Sequence, residues 1–111
     1  MIHRRLRIVF AAALIAIALP AAAAPFCTQA KGAQRICQYT EAADCIKRAG
    51  ELGAVCVPNP GELRSSVGSA RYCLVDNDRN ASCIYPARQN CETDSIREGS
   101  GACVDNPSGT P

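Results

Sequence analysis

Eight cysteines limit what this 111-residue chain can fold into more than any other feature of it. They stand at 27, 37, 45 and 56 and again at 73, 83, 91 and 103, so three recur after 46 residues and the last after 47. Their neighbours recur with them. Phe26 and Tyr72 precede the first cysteine of each set, Tyr39 and Tyr85 follow the second by two positions, and Gly53 and Gly101 lie shortly before the fourth. Cys56-Val57-Pro58-Asn59-Pro60 matches Cys103-Val104-Asp105-Asn106-Pro107. The chain reads as a duplicated four-cysteine module, 24–60 and 71–107, with a Gly- and Ser-rich linker at 61–70 and a disordered tail at 108–111.

The N-terminus reads as a secretory signal at 1–23. His3, Arg4, Arg5 and Arg7 precede an uncharged apolar run at 8–19, and Pro20 and four alanines close it. Twelve residues span roughly 18 Å as a helix, short of the ~30 Å hydrocarbon core, which argues against an anchor. Cleavage is expected after Ala23. It removes Arg4, Arg5, Arg7 and the only histidine, leaving nine basic and ten acidic residues. The pI of 8.2 is then largely a property of the signal, and the mature chain lacks the basic footprint of a nucleic-acid or anionic-membrane binder.

Cysteine makes up about 9% of residues 24–111, the level of a disulfide scaffold in a short exported chain. Each half has about forty residues, too few for an apolar core alone to suffice. Cys27, Cys37, Cys45, Cys56, Cys73, Cys83, Cys91 and Cys103 are all expected in disulfides confined to their own half. One bridge in each is expected to tie the hairpin to Cys45 or Cys91, its hairpin partner left open. A zinc or redox reading would need a C-x-x-C pair or histidine, and the closest cysteines have seven residues between them. No metal or other cofactor is expected.

Local pattern predicts a small disulfide-rich α+β fold, each module a short β-hairpin plus one helix. Strands are expected at 26–29 and 35–39 around Lys31-Gly32, and at 71–75 and 82–85 around Asn77-Asp78. A helix follows in the first module, with Thr40 as N-cap, Glu41 and Asp44 in the first turn, Lys47 and Arg48 in the last, and Gly50 or Gly53 ending it. Ala42, Cys45, Ile46 and Ala49 form its inward face. In the second module Pro86 is expected in the first helical turn, and Glu92 and Ser95 replace Ile46 and Ala49. That poorer face suggests greater dependence on bridges.

Catalytic signatures are missing. Residues 24–111 contain no histidine, G-x-S-x-G or phosphate-cradling glycine loop. Asp76, Asp78 and Asn80 alternate like calcium ligands, but Ala81 and Ala87 stand where that loop needs Gly and Glu. They read as a polar hairpin turn, and Gly99-Ser100-Gly101 as a flexible turn.

Each half resembles an uncharacterised family of small exported bacterial proteins, domain of unknown function 3551. The resemblance rests on Phe26-Cys27, Cys37-Gln38-Tyr39-Thr40, Cys45, Gly53 and Cys56-Val57-Pro58-Asn59-Pro60. In the second half it rests on Tyr72-Cys73, Cys83-Ile84-Tyr85, Cys91, Gly99-Ser100-Gly101, Cys103 and Asn106-Pro107. Gln38 and Ile84 replace that family's glycine, Pro86 its threonine, and the usual single module is doubled. The resemblance implies a signal peptide followed by a four-cysteine module, and no activity. The expectation is a monomeric, non-enzymatic periplasmic or secreted protein with a binding or envelope-associated role. Its partner would be an extracytoplasmic protein, with no nucleic acid and no membrane. The alternative is an inhibitor or toxin-like peptide that presents the turn at Gly32 or Asn77.

Overall fold

Short runs of aromatic and β-branched residues on either side of a turn pair readily as antiparallel strands. In the computed structural model, which describes residues 24–109, β1 (Phe26–Gln29) and β2 (Ile36–Tyr39) do so. The expected signal and residues 110–111 lie outside the described residues. Helix α1 (Ala42–Leu52) follows, and β3 (Val55–Pro58) returns antiparallel to β1, giving the order β2-β1-β3. The 61–70 segment is not a free linker: it carries most of a 3-10 turn (Pro60–Glu62) and strand β4 (Ser65–Val67). Then come β5 (Tyr72–Val75), β6 (Asn80–Tyr85), α2 (Arg88–Glu98) and β7 (Ala102–Asp105), in a sheet ordered β4-β6-β5-β7. The fold is small, disulfide-rich and α+β, with two helices and two sheets.

A bulge decides the disulfide pairing. Phe26 faces Tyr39 and Thr28 faces Ile36, so Cys27 stands opposite Cys37 and Gln38 together. Tyr72 faces Tyr85 and Leu74 faces Ser82, so Cys73 meets Cys83 and Ile84 in the same way. The bridges Cys27–Cys37 and Cys73–Cys83 therefore close the hairpins on themselves, with Cα atoms 3.9 and 3.8 Å apart. Cys45–Cys56 and Cys91–Cys103 tie each helix to the strand that follows it. This corrects the expected hairpin-to-helix bridge at Cys45 and Cys91. The hairpin cysteines are already opposite each other, and β3 and β7, which local pattern does not announce, bring the fourth cysteine beneath the helix.

Helix ends also differ from expectation. The N-cap of α1 is Glu41 in extended backbone, not Thr40, and no side chain caps it. The helix runs to Leu52, where left-handed Gly53 stops it, so Lys47 and Arg48 fall before the last turn. Ala87 is the N-cap of α2, which leaves Pro86 outside the helix. Cys45 and Ala49 are buried, whereas Ile46 is 42% exposed. Cys91 is the only buried residue of α2, and the Ser95 hydroxyl donates to Gly101 O at 2.8 Å.

The Asn-Pro pairs hold the chain's entry to each half. Asn59 donates its backbone N–H to Pro25 O and its side-chain amide to Ala24 O, both at 2.8 Å. Asn106 does the same to Arg71 O and Ala70 O, both at 2.8 Å. Each side-chain oxygen then accepts a backbone N–H two residues on, at 3.2 Å. Ser108 and Gly109 are thus held in a turn on Asn106, where a disordered tail is expected.

Nor are the halves separate bodies. One buried cluster joins Phe26, Cys45, Ala49 and Cys56 to Cys73, Val75, Ala81, Cys83 and Val104, and β3 lies against β7. Replacing Asn59 or Asn106 by Ala should cost about 1–2 kcal/mol each, because a part-buried carbonyl loses its donor. Denaturant unfolding of the oxidised protein measures this; an unchanged midpoint would show that these amides contribute nothing.

Candidate functional site

Because the halves pack together, each hairpin turn reaches toward the other half, and two clefts result. In the first, the turn at 29–33 and the α1–β3 connection face Arg71 and residues 105–109 across about 600 Å³. Gly32 (φ 74°) shapes this turn, and Gly53 (φ 64°) shapes the connection. In the second, smaller cleft the β5–β6 turn and residues 101–102 face Pro25, Phe26 and residues 40–42 across about 340 Å³. The two hairpin turns singled out from the sequence therefore lie in different clefts, Gly32 in the larger and Asn77 in the smaller.

The wall of the larger cleft formed by Arg71 and Asp105 is backed by a polar cluster that local pattern does not reveal. Two guanidinium groups lie over the Tyr72 ring, Arg71 at 5.6 Å and Arg88 at 5.1 Å from its centroid. Arg88 Nη2 is 3.5 Å from Asp105 Oδ2. Burial raises the Asp105 pKa, and the Arg88 and Arg71 charges act against that rise. With Asp105 partnered by Arg88, Arg71 and Lys31 have no ion pair among the described residues and give the cleft a cationic lining. Forty-six or forty-seven residues earlier stand Pro25, Phe26, Ala42 and Pro58. Aligning the halves position by position would have exposed this polar set, since four apolar residues become Arg71, Tyr72, Arg88 and Asp105.

The smaller cleft is bounded by a turn closed from within. Asp76 Oδ1 accepts the backbone N–H groups of Asp78 and Asn80, both at 2.9 Å, and Arg79 sits in left-handed backbone at φ 65°. The hydrogen bond from Asn80, reinforced by that from Asp78, lowers the Asp76 pKa despite some desolvation. The carboxylate is thus engaged in the expected hairpin turn. Arg79 Nη1 meets Glu62 Oε2 at 2.8 Å and fixes the turn to the 3-10 segment. On α2, Asp94 accepts the Tyr85 hydroxyl at 2.8 Å; burial and that bond raise the tyrosine pKa.

All eight predicted site cysteines are in bridges; seven are buried in the core and Cys37 is exposed, so they do not gather at one surface point. Among the described residues no group of His, Cys, Asp or Glu is placed to hold a metal ion, and no helix is long and apolar enough to cross a membrane. No family model, curated protein or solved structure matches the chain.

Asp76 and Asp105 should give opposite pH signatures. The lowered pKa of Asp76 contributes stability that is present above pH 3.8 and lost as pH falls through the folded value. The raised pKa of Asp105 contributes stability that is complete below pH 3.8 and lost as pH rises through the folded value. Thermal melts from acid to neutral pH should therefore lose part of their acid limb in Asp76→Asn and flatten above pH 3.8 in Asp105→Asn. Superimposable profiles would remove both assignments.

Proposed function

We propose that the chain is a non-enzymatic binding protein of an extracytoplasmic compartment, periplasmic or secreted, and a tandem form of the four-cysteine family it resembles. Four disulfides suit a small, stable protein in an oxidising environment. With every cysteine bridged and no histidine in residues 24–111, neither a Ser–His nor a Cys–His pair can form here. The observation that carries the binding reading is the larger cleft. It joins a turn of the first half to Arg71 and Asp105 of the second, in a place where the first half's own counterparts are apolar. A protein segment bearing a carboxylate would find Arg71 and Lys31 there, positioned by a stapled frame that moves little on binding.

Affinity capture of extracytoplasmic proteins, comparing the oxidised protein with its Lys31→Ala/Arg71→Ala variant, tests this. Retention of the captured partner should fall at least about tenfold, as for loss of a charged hydrogen-bonded contact. Retention unchanged by that variant, but abolished by exchanging Asn77 and Asp78, would instead favour the inhibitor-like reading. A rigid, exposed turn closed by Asp76 is what supports that alternative.

A further inference from the structure

The outer edges of the two sheets differ. Among the described residues β2 is the last strand of its sheet, whereas β6, its counterpart, is covered by β4. Strand β4 runs parallel to β6, with Ser65 opposite Asn80, Ser66 opposite Ala81 and Val67 opposite Ser82. Arg64 and Ala70 donate their N–H groups to Arg79 O and Cys83 O, both at 2.8 Å, holding the two ends of this seat. The Ser65 hydroxyl donates to the Asn80 side-chain oxygen at 2.7 Å. Gly68 passes so close to β6 that a Cβ there would lie 2.3 Å from Cys83 O, so only glycine fits.

The first half has a shorter form of this edge, with no strand on it among the described residues: β2 begins at Ile36, the counterpart of Ser82, and Gln34 and Arg35 lead into it. Asn80, Ser82 and Cys83 correspond to Gln34, Ile36 and Cys37, so the side-chain amide that meets Ser65 recurs at Gln34. Gln34, Ile36, Cys37 and Gln38 are all exposed, Ile36 by 48%. Residues 34–39 contain no proline, and their one charge, Arg35, donates its Nε–H to Gln29 Oε1 at 3.2 Å, which leaves Ile36–Tyr39 as an edge without charge or proline. By the same offset, the segment matching β4 would start at Leu19-Pro20, inside the expected signal. Any strand laid on this edge of the exported protein would then come from another molecule.

We propose that residues 34–39 bind an extended segment of a partner protein, parallel to β2, by strand addition. The segment this edge fits is the chemistry of β4: a hydroxyl residue facing Gln34, a β-branched residue beside Ile36, and a glycine where the chain passes Cys37. The surface is separate from the polar wall of the larger cleft, and the inference does not rest on that reading.

The probe is a capped synthetic peptide of the chain's own residues 63–69, titrated into the exported, oxidised, isotopically labelled protein and followed by NMR. Its natural seat on β6 is filled intramolecularly at high effective concentration, so the free peptide should go to β2. Saturable shifts and slowed amide exchange should be confined to residues 34–39. Gln34→Ala in the protein, or Ala for the first serine in the peptide, should each weaken binding about fivefold, the worth of one hydrogen bond. Combining the two should add no further loss. No saturable shifts, shifts centred on residues 80–85 or on either cleft, or equal binding of the reversed peptide would overturn the proposal. So would self-association through β2 without peptide, which would make a second copy the occupant.

Discussion

Sulfur fills the interior that aliphatic side chains fill in a larger domain. Of the sixteen buried apolar residues described, seven are cysteines, and Cys27, Cys45, Cys73 and Cys91 are wholly buried beside Val57 and Val104. Each bridge closes a loop of 10–12 residues, worth about 3 kcal/mol in the chain-entropy account. The remaining elements could hardly persist without them. The strands are three to six residues long, and both eleven-residue helices start without a side-chain cap. Hairpin bridges lock the register that the bulge creates, and helix bridges tie α1 and α2 to the strands that follow them.

With the frame held by covalent bonds, surface positions were free to diverge between the halves, and their differences carry the functional content. Ala30 became Asp76, whose carboxylate gathers two backbone N–H groups and closes the second turn. Strand β6 accordingly starts at Asn80, whereas β2 starts two positions later in its own half, at Ile36. Pro25, Phe26, Ala42 and Pro58 correspond to Arg71, Tyr72, Arg88 and Asp105, of which Arg71 and Asp105 line the larger cleft while Tyr72 and Arg88 contact them from behind. Phe26 and Pro58 are buried in their own half, so these differences exchange apolar burial for charge and hydrogen bonding while all four bridges keep their places.

Legibility followed the range of the forces involved. The four hairpin strands, both turns and the helix carrying Cys45 could be read locally, with its end left between Gly50 and Gly53, because turn chemistry and 3.6-residue periodicity act within a few positions. The Thr40 cap was misplaced by one residue, since neither Thr40 nor Glu41 makes a capping bond that would fix the boundary. Strands β3 and β7 were not legible: Val55–Pro58 and Ala102–Asp105 are four-residue stretches whose hydrogen-bond partners lie about thirty residues earlier. Strand β4 was read as linker, because its serines are ordinary loop residues until β6 offers them a ladder.

By itself the sequence determined that the chain must be stapled: eight cysteines in two matched sets of four, on halves too small to hold together by apolar burial alone. It also settled where chains reverse, at Lys31-Gly32 and Asn77-Asp78, since a turn is a local event. Only the tertiary structure decided which cysteine meets which, that β3 and β7 join the halves over one core, and that Arg71 and Asp105 face the turn at Gly32. Those outcomes depend on strand register and on packing between segments far apart in the chain. Cysteine spacing alone leaves both undetermined.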